Sequence, residues 1–297
     1  MKTIKKYMIL VGVLLTASAS FAQDDMKDEE TKDEPVQSNI QQYTPSKLIG
    51  KGRWDVKLFN NLYTQDDSTF EDEVGLRQNF FTSTLEVFTG VSDSKRVNVG
   101  VILEYRANGR EFRLQDGSIS DIRNTSGLTS IAPSIKFVPF ENVGNFSILS
   151  SLSIPLVGNE VDQDTGVFLD QNGFTWQNRF FYDYTFPGKK WQLFTELNTE
   201  FNFGDAEKSF ANTSLNLVPG VFLSYFPSSK FTVLVLAQHN QRLDLGNNFS
   251  QNFTALGGGA KYQLSKALNL EFLYTNFVRG NNTGLGQTFN IGLRGIF

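Results

Sequence analysis

The chain is 297 residues long with a formal charge of −4, and its composition includes 28 Phe, 25 Gly and no Cys. Lacking cysteine, it has no disulfide framework, thiolate metal site, cysteine nucleophile or lipidated cysteine, so backbone pairing and packing alone must hold it together. Nor does it carry the basic stripe that phosphates call for, which excludes nucleic acid as a partner.

Lys2, Lys5 and Lys6 precede an apolar run from Met8 to Leu15, and Ser20-Phe21-Ala22 offers small residues for cleavage before Gln23. This is the layout of an export signal over residues 1–22, since a membrane helix would need about 20 apolar residues. Removing those three lysines takes the charge to −7, of which Gln23 to Glu34 holds −5. Residues 23–50 form an acidic, then polar leader with Pro35 and Pro45 and no hydrophobic periodicity. Such a segment cannot offset its ordering entropy, so a disordered periplasmic leader is expected. The sharper alternative is a partner-binding arm, or a plug entering a pore mouth.

Residues 51–297 alternate. Twelve strands are expected, at 52–63, 77–89, 96–106, 128–138, 145–156, 174–185, 191–203, 213–225, 231–243, 252–263, 268–279 and 287–297. Tight turns at 90–95, 139–144, 186–190, 226–230 and 264–267 alternate with longer loops at 64–76, 107–127, 157–173, 204–212, 244–251 and 280–286. Pro133, Pro155 and Pro219 fall inside strands without a backbone donor and predict bulges or strand ends.

Charge divides cleanly between the two phases. One carries Trp54, Val56 and Leu58, Val97 to Leu103 in alternation, Phe146, Ile148, Leu152 and Ile154, Leu215, Leu217, Val221 and Leu223, and Leu268 to Tyr274 in alternation. The other carries Asp55, Lys57, Glu86, Glu104, Arg106, Lys136, Arg179, Asp183, Glu196, Glu200, Lys261, Glu271 and Arg294. A soluble barrel would segregate its charges as well. The aromatics decide between them: Trp54, Tyr184, Trp191, Tyr225, Phe231, Tyr262 and Phe297 gather at the turn ends of the apolar phase, with Trp176 and Phe201 towards the loop ends. Two aromatic belts around an aliphatic middle match bilayer interfaces.

The last stretch, Gly286 to Phe297, places Phe289, Ile291, Leu293 and Phe297 on one face and Thr288, Asn290, Gly292 and Arg294 on the other. It resembles the C-terminal insertion signal of Gram-negative outer-membrane barrels through Asn290, Gly292 and Phe297, with Gly295 where a hydrophobic residue is expected. As a whole the chain resembles porin-like and transporter-like outer-membrane barrels, including those catalogued with phenol-degradation pathways. The resemblance implies an antiparallel up-and-down transmembrane β-barrel, with short periplasmic turns, longer extracellular loops and outer-membrane lipid around it. It also implies insertion by the barrel-assembly machinery and passage of small solutes.

The expected function is a channel or transporter with a charged and aromatic lumen. Lys57, Glu86, Glu104, Arg106, Lys136, Arg179, Asp183, Glu196, Glu200, Lys261, Glu271 and Arg294 are its candidate lining, interleaved with Phe59, Phe88, Phe181, Phe194, Phe222, Phe253 and Phe277. The alternative is a docking barrel whose lumen is plugged and whose leader or loops hold a periplasmic or external partner.

Enzyme chemistry finds no footing. Outer-membrane phospholipases of twelve strands place a Ser two residues after a wall His, whereas His239, the lone histidine, is followed by Asn240, Gln241 and Arg242. Glu196 and Glu200 share a wall by period-two spacing rather than as an acid and base. The loop acids Asp66, Asp67, Glu71, Asp72 and Glu73 lack calcium-loop spacing, so no metal or cofactor is expected. Gly257-Gly258-Gly259 lies within a strand with no helix after it, which predicts a close approach of a neighbouring backbone or lumen group rather than a phosphate loop.

Overall fold

The computed structural model describes residues 46–297; the export signal and most of the expected leader lie outside that range. Twelve strands follow one another: β1 (Trp54–Gln65), β2 (Gln78–Gly90), β3 (Val97–Arg110), β4 (Arg123–Phe137), β5 (Phe146–Pro155), β6 (Thr175–Thr185), β7 (Trp191–Asn202), β8 (Ser214–Tyr225), β9 (Phe231–Asp244), β10 (Gln251–Gln263), β11 (Leu268–Asn281) and β12 (Gln287–Ile296). Each pairs antiparallel with its neighbours in sequence, and β12 returns to β1 through Asp55 opposite Ile296 to Thr64 opposite Gln287. The sheet is a closed up-and-down barrel. Closure leaves no unpaired edge, the condition for a sheet to stand in hydrocarbon.

The apolar phase forms the outer wall. Val235 is 60 % exposed and Ile291 51 %, while the flanking aromatics Trp54, Trp191 and Tyr262 are each close to half exposed. Exposed aliphatics on this scale are a lipid-facing surface. The inner phase is the drier one: Ser147, Thr232 and Ser214 are fully buried, and Leu234 and Leu236 are buried. Phe88, Leu149 and Phe181, from β2, β5 and β6, pack together with Ile102 and Phe194 inside the ring. Those strands are not all neighbours, so the cluster can form only across the lumen.

Two bulges reset the alternation. Glu104 faces Ser130 but Tyr105 faces Leu128, leaving Thr129 as the extra residue of β4, fully buried with its hydroxyl donating to the Glu104 carbonyl. The extra residue reverses the phase beyond it, which is why a strand read from 128 continues back to Arg123 and shortens the expected 107–127 loop to 111–122. In β11 the register slips between Thr254/Arg279 and Ala255/Phe277, so Val278 is extra. Arg279, which strict alternation puts with the charges, lies on the outer side and is exposed.

The prolines behave as donors lost on one side. Pro155 closes β5. Pro133 keeps its pairing to β3 but lacks it to β5, and Pro219 pairs with β7 while the β8–β9 ladder skips Val218 and Pro219. The glycine run meets backbone on both sides: a Cβ at Gly257 would stand 2.0 Å from the Tyr274 carbonyl oxygen, and one at Gly259 2.1 Å from that of Phe272. There the strands coil too tightly for any side chain.

Candidate functional site

Beginning at the short-turn end, the inner phase opens on a segment preceding the barrel. Ser46 and Ile49 are buried. Asn98, an inward residue of β3, clamps Ile49 from both sides, its Oδ1 accepting from the Ile49 N–H at 3.1 Å and its Nδ2 donating to the Ile49 carbonyl at 2.9 Å. Lys136 Nζ donates to the Lys47 carbonyl at 3.3 Å. The approach is possible because Gly90 has no Cβ, which would lie 2.0 Å from the Gly50 oxygen. Residues 46–50 are thus seated on the inner wall at the turn-side mouth.

Above that seat lies a belt of ion pairs. Arg294 grips Asp55 in bidentate fashion, Nε to Oδ1 at 2.9 Å and Nη2 to Oδ2 at 2.5 Å. Arg179 Nε meets Glu196 Oε1 at 2.6 Å, and Lys261 is bonded to Glu271. Lys57 stands opposite both Glu86 and Arg294 in register, with its ammonium 4.8 Å from the centre of the Phe59 ring. Glu86 on β2 acts electrostatically on Arg294 of β12, two strands along the wall with Lys57 of β1 between them, and on Arg179 of β6, which lies four strands away. The Phe181 ring carries two cations, with Lys136 Nζ at 5.4 Å and the Arg179 guanidinium at 5.1 Å. Asp183 is buried, and Asn145 Nδ2 donates to its backbone carbonyl.

The loop side holds a second polar level. Glu200 accepts from Gln177 and Asn198 through Oε1 and from Asn216 through Oε2. Arg106 bridges Glu104 at 2.8 Å and Asp170 at 2.9 Å, drawing the 156–174 loop into the mouth. Burial pushes the Asp170 carboxyl above the ordinary carboxylate range, against the opposing pull of Arg106. Asn108 Nδ2 holds the carbonyls of Phe168 and Leu169, so the loop is fixed by its backbone as well. Asn247 Nδ2 ties the carbonyls of Phe210 and Asn212 from the neighbouring loop. Phe168, Phe210 and Phe249 meet there, with ring centres 6.0 and 5.2 Å apart in sequence.

Of the insertion-signal residues, Asn290 is buried and accepts from Asn61 Nδ2, and Gly292 leaves room beside the Phe59 ring. His239 turns outward, bonded to Thr254 Oγ1 at 3.0 Å and away from the polar lumen. Among the described residues no group of three or more His, Asp or Glu is arranged to hold a metal. The two cavities that stand out lie off the axis, about 350 Å³ on the outer wall beside Pro133, Ser151 and Trp176 and about 280 Å³ at the loop edge beside Phe174 and Asn212. Asn216, Asp55, Asp170 and Arg242, whose Nε donates to Asn216 Oδ1, take part in these levels although the sequence does not single them out as site residues. Arg242 and Asp55 share the charged phase and were findable by it; Asp170 reaches the lumen only by a loop fold.

A closed antiparallel ring of twelve strands with a lipid-facing wall and a charged interior is the fold of the porin-like outer-membrane barrels. An outer-membrane channel from Pseudomonas putida F1 has the same architecture at 10 % sequence identity and a TM-score of 0.64, the match covering 90 % of this chain and all of that one. The β domain of the Bordetella autotransporter BrkA matches over 82 % of this chain and 99 % of its own, at 16 % identity and a TM-score of 0.58. No family model matches the chain, and no curated protein matches it by sequence.

Proposed function

We propose that this protein is an outer-membrane channel for small solutes, exported by its N-terminal signal and closed in the described conformation by residues 46–50 at one mouth and by the loops at the other. The carrying observation is the concentration of charges of both signs on the inner wall, where Arg294 with Asp55, Arg179 with Glu196 and Lys261 with Glu271 are spread around the ring. A barrel needing only to stand in a membrane is cheapest with an apolar or neutral filling, because each paired charge still has to be desolvated. Retaining a belt of them keeps a hydrated, polar track once the caps move. The likeness to the Pseudomonas channel supports the same reading at the level of fold.

The test is planar-bilayer conductance of refolded mature protein, after heat-modifiable migration has shown a folded barrel. Stepwise conductance is expected, and Glu196→Lys should shift its ion selectivity towards anions. Folded protein that stays silent over many insertions would overturn the reading. A docking barrel is the second reading, and the clamp of Asn98 on Ile49 favours it, because that clamp fixes where the leader leaves the barrel. A periplasmic partner lost on deletion of residues 23–45, with conductance unchanged, would establish it.

A further inference from the structure

Four inward-facing strand arginines meet a carboxylate: Arg106 meets Glu104 and Asp170, Arg110 meets Glu73, Arg179 meets Glu196 and Arg294 meets Asp55. Two more on the inward phase meet none among the described residues: Arg123, which stands exposed at the start of β4, and Arg242, which is partly buried. Arg242 projects from the loop end of β9, opposite Asn216 on one side and Gln251 on the other. Its Nε donates to Asn216 Oδ1 at 2.9 Å, but its Nη1 is shut away from solvent without an acceptor. Glu200 is the nearest acid by influence, and Asn216 stands between them: the Asn216 amide that donates to Glu200 Oε2 is the one whose oxygen holds Arg242.

A buried guanidinium edge without an acceptor is costly, and a carboxylate matches its fork in shape and charge. What lies over this one is apolar. Its guanidinium sits 5.4 Å from the centre of the Phe210 ring, and Phe210 touches Phe168 and Phe249. We propose that Arg242 is the binding point for a small organic carboxylate with an apolar body, the carboxylate on Nη1 and the body among the three phenyl rings. Phe210 is the movable part: its side chain is 46 % exposed, on a loop whose hold on it runs through the backbone carbonyl rather than the ring. Where the bound solute goes next rests on the channel reading; the site itself does not.

The experiment is calorimetric titration of the refolded full-length barrel with hexanoate, alongside acetate and hexan-1-ol, and bilayer conductance of the same preparations. Hexanoate should bind saturably and more tightly than either control, and Arg242→Gln should weaken it about ten- to a hundredfold, the range of a lost charge-assisted hydrogen bond. Arg279→Gln, at an exposed arginine on the outer side, should change nothing. Equal binding by wild type and Arg242→Gln, or no saturable binding by a wild type that migrates as a folded barrel, overturns the site. Acetate binding as tightly as hexanoate overturns its apolar half. Should Arg242→Gln fail to fold, Arg242→Lys decides, because it keeps the charge and loses the fork: weaker binding supports the site and equal binding overturns it. Conductance without hexanoate binding removes the site and leaves the channel standing, and binding by silent barrels does the reverse.

Discussion

Asp55 and Arg294 tie the first strand to the last, so a single pair of side chains carries part of the closure. Removing the carboxylate leaves a guanidinium in the interior that Glu86 and Glu271 influence without replacing the lost pair. Asp55→Asn is expected to cost about 3 kcal/mol, the low end for stranding one member of a buried pair. Urea titration of folding into lipid vesicles would register it as a lowered midpoint. Asp93, largely exposed in its pair with Lys51, is the control, and its neutralisation should fall within about 0.5 kcal/mol of wild type. For each candidate residue, alternation supplies a phase but not a partner. Glu196 and Glu200 read alike in sequence, yet one takes an arginine and the other three amides, because register sets what lies opposite.

Elements differ in how far their sequences announce them. The tight turns and the strands beside them are legible because Gly, Pro and Ser-rich breaks interrupt unmixed alternation. Bulges are not, since Thr129 and Val278 look like any other strand residue until the opposite strand is known. The glycine run is intermediate: its crowding was foreseeable, and the register identifies the groups responsible as the carbonyls of Tyr274 and Phe272. Gly259→Val should prevent closure of the β10–β11 pair, seen as loss of heat-modifiable migration. Retention of a compact, heat-modifiable form would show that the strands can part at no great cost. Among the loops, 156–174 carries its own acid dependence. Asp162 Oδ1 accepts from the N–H groups of Asp164 and Thr165 and from the Thr165 hydroxyl, and these bonds, those of Thr165 foremost, hold its carboxyl below the ordinary value of 3.8. A lowered folded-state pKa gives stability that is present above 3.8 and lost as pH falls through the lowered value. Amide exchange at Asp164 and Thr165, corrected for its intrinsic pH dependence, should therefore stay protected at neutral pH and lose protection only under strong acid. Asp162→Asn should remove that acid dependence.

At the scale of the molecule, the barrel is a ring whose interior is more tightly filled than its exterior. Chain that is not part of the ring reaches the inner wall at both mouths, residues 46–50 at the turn side, and at the loop side 156–174 and, through Phe210, 203–213. If the first of these is a closure, releasing it must change permeation without touching the wall. Asn98→Ala removes both bonds to Ile49, and larger or more frequent conductance steps are expected from it. Unchanged conductance would place the constriction elsewhere.

Sequence by itself determined the number of strands, their up-and-down order and the side on which charge lies. Those properties follow from period-two alternation and from the need to satisfy every backbone group of a spanning sheet within the sheet. Only the tertiary structure decided which charges pair, that Arg242 has no carboxylate partner among the described residues, and that the segment before β1 and the 156–174 loop enter the mouths. Each depends on register, bulges and loop paths that bring together residues far apart in the chain, and local periodicity carries no record of such distances.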